Sequence, residues 1–158
     1  MRTLLRETLF LRSFGLLKIP MIFFVRPRVL ELSNERVEIK IPLTYNTKNH
    51  LSSMYFGALS VGADCAGGIL AMKLGRERSK KFSLAFKDFH ADFLKRADGD
   101  VHFVCDEGAK VKALIDQAAA SGERQNMPVQ VTATVPSKYG DEPVARFTLT
   151  LSVKIGKK

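Results

Sequence analysis

Between Asn49 and Leu74 the chain reads NHLSSMYFGALSVGADCAGGILAMKL. From Tyr55 to Met72 the only charged residue is Asp64, and there is no proline. Gly57, Ala58, Ser60, Gly62, Ala63, Ala66, Gly67, Gly68 and Ala71 are all small. A helix that is apolar nearly all round must be buried, and small side chains let neighbouring backbone come close. An ionised carboxylate in such a place costs on the order of several kcal/mol unless it is compensated. The stretch predicts a buried central helix carrying a functional acid.

The rest of the chain has to supply what buries that helix. Its 158 residues fit one domain, 1–158, with residues 1–25 as an N-terminal helix and connector. Arg2, Arg6 and Arg12 interleave with Leu4, Leu5, Leu9, Phe10, Leu16 and Leu17, which predicts a basic amphipathic helix over residues 2–17, ended by Pro20. It is read as a cover on part of the core, with a membrane-surface or partner-binding role as the alternative. Glu7 and Lys18 interrupt the apolar run and no small-residue cleavage site follows, which argues against a secretory signal.

After Pro27 the period changes from helical to twofold. Val37, Ile39, Ile41 and Leu43 alternate with polar residues, and Ser33-Asn34-Glu35 turns the chain back from a partner strand at residues 28–32. Pro42 suits a strand end. Residues 76–81 read as a charged connector after the central helix. Phe82, Leu84 and Phe86 then alternate in one phase and Phe89, Ala91 and Phe93 in the other, a flip that a β-bulge would produce. Strands beginning at Val101, spanning 129–135 and spanning 145–155 follow, with a helix over 106–122. Segregated helices against an antiparallel sheet make an α+β architecture.

Asn49, Gly57-Ala58 and Asp64-Cys65-Ala66 keep the spacing of a known pattern. The stretch resembles the PaaI-like acyl-CoA thioesterases of the hotdog fold, whose members carry Asn-x-x-Gly-Thr-Leu-His-Gly-Gly-Ala followed by Leu-Ala-Asp-x-Ala. Ser52 and Ser53 stand at the Gly-Thr pair, Met54 at the leucine, Tyr55 at the histidine and Phe56 at the first glycine. The Tyr-Phe-Gly-Ala variant is similar to a hotdog branch of unassigned function. The resemblance implies an antiparallel sheet wrapped around a long central helix, here with the additional N-terminal helix. It also implies acyl-CoA or a related thioester as substrate, and a homo-oligomer, dimer or tetramer, in which a neighbouring subunit contributes to each pocket.

On that reading Asp64 is the base or nucleophile, and the backbone N–H groups at Phe56 and Gly57 are oxyanion donors, since a first helical turn has free N–H groups and favours negative charge. Asn49 completes the catalytic set, and Tyr55, Ser52 and Ser53 contact substrate. Arg78 and Lys80 could hold the phosphates of coenzyme A, which enters as part of the substrate; no other cofactor and no metal is expected. Ser83, Lys87 and Asp88 could reach the site from the neighbouring subunit. Each residue also has a plainer reading: Asp64 as a structural acid, Asn49 as a turn former, Tyr55 as core, and the basic run as a solvated connector. A non-catalytic acyl-thioester or lipid-binding protein is the alternative function.

The net charge of +9 admits nucleic acid, an anionic membrane or a phosphorylated ligand. The cations are scattered without a nucleic-acid motif, so no nucleic acid is expected and a membrane is disfavoured. Cys65 and Cys105 fit reduced thiols in a cytoplasmic protein.

Overall fold

A computed structural model of the chain describes residues 4–156. The element order is α1 (Leu5–Lys18), α2 (Pro20–Phe24), β1 (Arg28–Leu32), β2 (Val37–Ile41), α3 (Phe56–Arg78), β3 (Phe82–Phe93), β4 (Val101–Cys105), α4 (Gly108–Ser121), β5 (Gln125–Thr134), α5 (Pro136–Tyr139) and β6 (Pro143–Ile155). The expected start of the first helix, Arg2, lies outside the described residues. The six strands form one antiparallel sheet in the order β1-β2-β4-β5-β6-β3. It wraps around α3, and the arrangement is the hotdog fold.

The twofold alternation of the strands is what makes this possible. Val37, Ile39 and Ile41 on β2, Val101 and Phe103 on β4, and Phe147, Leu149, Leu151 and Val153 on β6 are fully or almost fully buried on one face. α3 lies against that face. It is long and apolar enough to cross a membrane by composition, but most of it is enclosed by the sheet. The closest approach is at Gly62, where an added Cβ would stand 2.3 Å from the Phe103 ring. Glycine there leaves the room that this ring occupies. α4 packs Val111, Leu114, Ile115 and Ala118 against α3, β5 and β6, and closes at Gly122, whose φ of 71° is left-handed.

The phase flip in β3 is a register shift between Phe86 and Phe89 against β6. Asp88 at this bulge accepts a hydrogen bond of 2.6 Å from Thr150 Oγ1. β3 pairs with β6 on one side only and ends the sheet, leaving most of its 12 residues exposed. Pro128 is tolerated in β5 because it lies beyond the three positions, 132–134, that pair with β4.

Several expected boundaries move, among them the start of β5, which begins at Gln125, and three with a clear local cause. α3 starts at Phe56, because Asn49 and Ser52 build a turn and Tyr55 is extended. It continues through Arg76–Arg78, where cations complement the C-terminal end of the helix dipole. Lys73 and Glu77, four apart and 2.9 Å from each other, add support. β5 ends at Thr134 because Pro136, which has no N–H to give a ladder, opens α5 with Val135 as its N-cap.

Candidate active site

Asp64 lies just over two turns into α3 and is mostly buried. No hydrogen bond or ion pair reaches its carboxylate from the described residues, and burial alone raises its pKa from 3.8 to about 6. The group faces a cavity of about 440 Å³. Gly68, one turn on, leaves the space open: a Cβ there would sit 3.8 Å from Asp64 Oδ1 and 3.6 Å from the Phe86 ring.

Three layers line the cavity. α3 contributes Asp64, Cys65, Gly68, Ile69, Met72 and Arg76; the α1–α2 hairpin contributes Phe10, Leu11, Phe14 and Ile22; the start of β3 contributes Phe82, Ser83, Leu84 and Phe86. The walls are apolar apart from Ser83 on β3 and the two ends of one ridge on α3. Asp64, Gly68, Met72 and Arg76 are four residues apart and share a helix face. Arg76 is exposed, with its guanidinium 5.7 Å from the Phe10 ring centroid. An acid near one end of an apolar slot and a cation near the other suit a ligand with a reactive head, an apolar body and an anionic tail. Cys65 also touches the cavity, but burial, then the neighbouring Asp64, push its thiol well above the ordinary value, which leaves it unreactive.

The other expected site residues gather elsewhere. Asn49 Oδ1 accepts hydrogen bonds from the N–H of Leu51 at 2.8 Å and of Ser53 at 3.2 Å, so its side chain shapes the turn before α3. Ser52 in that turn has a φ of 59° and is exposed. Ser53 is buried, and its Oγ accepts from Arg96 Nε at 3.3 Å. Tyr55 and Phe56 are exposed and their rings lie 4.7 Å apart. The Tyr55 ring also covers Gly57, where a Cβ would meet it at 2.4 Å. Asn49, Ser52, Ser53, Tyr55, Phe56 and Gly57 thus form a cluster at the N-terminus of α3, and none of them lines the Asp64 cavity. Arg78 is 3.5 Å from Asp116 of α4, and Lys80 is exposed.

The sequence offers the whole basic run of residues 75–81 for phosphate contacts, with Arg78 and Lys80 singled out; of that run it is Arg76 that lines the cavity. The fourfold spacing from Asp64 to Arg76 was the signal that could have found it. Phe10 and Phe14 were read only as core cover, and Ser83 as a contribution from a neighbouring subunit; in the structure Ser83 lines the cavity of its own chain. Among the described residues no cluster of His, Cys, Asp and Glu could hold a metal.

The family model described as a domain of unknown function, DUF4442, matches residues 7–153. No curated protein matches the sequence. Among solved structures, a Pseudomonas aeruginosa protein of unknown function described as a probable thioesterase is 23% identical, with a TM-score of 0.75 over 93% of this chain and 95% of its own. A Chlorobaculum tepidum protein of unknown function superposes with a TM-score of 0.77 at 13% identity, covering 96% of both chains. A Haemophilus influenzae thioesterase gives 0.63 at 12% identity, over 89% of this chain and 87% of that one. At these identities the likeness is one of fold.

Proposed function

Because the chain belongs to the DUF4442 family and has the hotdog fold, we propose that it is a thioester hydrolase acting on acyl-CoA or a related acyl thioester. The observation that carries this reading is Asp64, a carboxylate without a partner among the described residues, at the side of a largely apolar cavity. Structural acids are held by donors; this one is left free to take a proton. As general base it removes a proton from water while the water oxygen attacks the thioester carbonyl carbon. The C–S bond then breaks, and the departing thiolate recovers the proton from Asp64. Hydrolysis needs no further reactant, and positioned acid–base groups contribute about 10²–10⁴-fold. As nucleophile, Asp64 would instead form an acyl anhydride that water then cleaves.

The oxyanion donors of this proposal are the N–H groups of Phe56 and Gly57 in the first turn of α3. Eight residues of helix rise separate Phe56 from Asp64, about 12 Å along the axis. One copy cannot bring both to one carbonyl, so the proposed site takes Asp64 from one copy and the first turn from another. The unpaired outer edge of β3 offers a second copy a place to add. A homo-oligomer follows, in a cytoplasmic setting. Asn49, Ser52, Ser53 and Tyr55 then act as a rim that shapes and contacts the incoming chain. Arg76, with Arg78 and Lys80 beyond it, would meet the coenzyme A phosphates.

The Tyr55 ring over Gly57 favours a second reading, a non-catalytic acyl-thioester or lipid-binding protein whose donors are covered. A panel of acyl-CoAs assayed with wild type and Asp64→Ala separates the two. Turnover lost on substitution supports hydrolysis. Turnover that ignores the substitution discards the role of Asp64, and tight binding with no turnover in wild type selects the binding protein.

A further inference from the structure

The outer surface of the α1–α2 hairpin is built the wrong way round for a helix on a solvated surface. α1 buries Thr8, Leu11 and Gly15. At 100° per residue the opposite side carries Leu9, Leu16 and Leu17, with Arg6 and Ser13 among them and Leu5 at its flank. Leu17 is 77% exposed, Leu5 69% and Leu16 57%. The same surface continues into α2, where Met21 and Phe24 are more than half exposed. α4 has the same length, 14 residues, and the ordinary arrangement: Val111, Leu114, Ile115 and Ala118 face in, while Lys110, Lys112 and Asp116 face out. An apolar patch of this size on an exposed helix marks a contact surface.

Charge tells what covers it. From residue 4 to residue 28 the chain carries Arg6, Arg12, Lys18, Arg26 and Arg28 against the single acid Glu7. Among the described residues none of these five cations makes an ion pair with a carboxylate, so the charge gathered on this stretch is left uncompensated. Arg12 spends its donors on the backbone carbonyls of Pro27, at 3.0 Å, and Arg26, at 3.2 Å. Burial, and then the charges of Arg28 and Arg26, lower its pKa, which shows how closely the three are gathered. A second copy docked on this surface would bring the same unpaired cations towards each other. An anionic surface would satisfy them.

We propose that the outer face of the α1–α2 hairpin docks on an anionic phospholipid bilayer, its leucines entering the interface and its arginines and lysine meeting the headgroups. An interfacial helix with leucines on one surface and cations beside them binds through both. The inner face of the same hairpin, through Phe10, Leu11, Phe14 and Ile22, walls the Asp64 cavity, so docking places that wall at the lipid surface. The docking does not depend on the hydrolase reading and is measured without substrate.

Flotation of the full chain with vesicles of equimolar phosphatidylglycerol and phosphatidylcholine tests it. Binding should be strong there, at least about tenfold weaker on phosphatidylcholine alone, and reduced by salt. A variant carrying Leu9→Ser, Leu16→Ser and Leu17→Ser keeps every charge and touches neither the cavity nor the core, and it should lose at least about tenfold in vesicle affinity. Circular dichroism and the melting temperature check that it stays folded. Failure of wild type to float, or undiminished flotation of the triple variant, overturns the proposal; the second outcome would mean adsorption by net charge alone. If wild type does not float and the triple variant changes its sedimentation from oligomer to monomer, the surface belongs to a second copy instead.

Discussion

Asp64 and Asp100 are two aspartates that the fold treats in opposite ways. Asp100, where β4 begins, also feels burial pushing its pKa up, but the N–H of Leu43 and the ammonium of Lys40, each 3.0 Å away, outweigh it and hold the pKa below the ordinary value. It ties the end of β2 to the start of β4. Asp64 is far more deeply buried and, among the described residues, has no such donors, and its pKa rises to about 6. Asp100 organises backbone and is met by donors; on the proposed reading, Asp64, left without them beside a cavity, is kept for a ligand.

The largest break between the two is expected in turnover. Asp64→Asn should lower acyl-CoA hydrolysis by about 10²–10⁴-fold, whereas Asp100→Asn should leave kcat/KM within about threefold. Steady-state assays of the two variants side by side check this, and similar losses would erase the distinction.

Stability should then move in opposite directions. A carboxyl lifted from 3.8 to about 6 opposes folding when ionised by about 3 kcal/mol. The sign follows from proton counting. Between these pH values the folded state holds the proton that the unfolded state has released, so stability falls as pH rises from about 4 to about 6 and stays reduced above. Asp64→Asn should therefore stabilise the protein at pH 8 by up to about 3 kcal/mol and do little at pH 4. Urea unfolding at the two pH values measures it. The same titration governs activity: with Asp64 as the base, kcat/KM should fall about tenfold per pH unit below about 6, and Asp64→Asn should flatten that limb.

How far these properties can be read from the sequence depends on whether they are local. The lone acid in a small, apolar stretch was legible because both burial and its cost follow from neighbours in the chain. The six strands were legible because alternation has a fixed period of two, and the flip from Phe86 to Phe89 even located the bulge. The start of α3 was not, since it depends on the side chain of Asn49 binding two backbone groups of a turn. The solvent side of α1 was illegible for a different reason. Leucines occupy both sides of that helix, and only its packing against Val29 and the rest of the core decides which of them stay outside: Thr8 Oγ1 accepts the N–H of Val29 at 2.9 Å and turns the small residues inward. Asp64 lies on the helix where the sequence put it, yet the cavity beside it runs on towards Arg76, 12 residues later, and not back to Phe56, eight residues before.

The smallest effects belong to Asp100, and they test whether its partners explain it. Asp100→Asn keeps the shape and an acceptor but loses the charge, so it should destabilise by about 1 kcal/mol at neutral pH, the ordinary net value of a hydrogen bond. Its contribution is present above the ordinary carboxylate pKa and is lost as pH falls through the lower folded value, so the difference between variant and wild type should vanish in acid. Lys40→Met removes only the ion pair. With the Asp100 side chain 42% exposed, water screens that pair, and the loss should stay under about 1 kcal/mol. If Lys40→Met costs as much as Asp100→Asn, the ion pair rather than the Leu43 N–H holds this corner. The contrast with Asp64 would then be between an acid with a cation and one without. If it costs less, the backbone donor is what Asp100 has and Asp64 lacks, and an uncharged donor brought to Asp64 should lower its pKa in the same way.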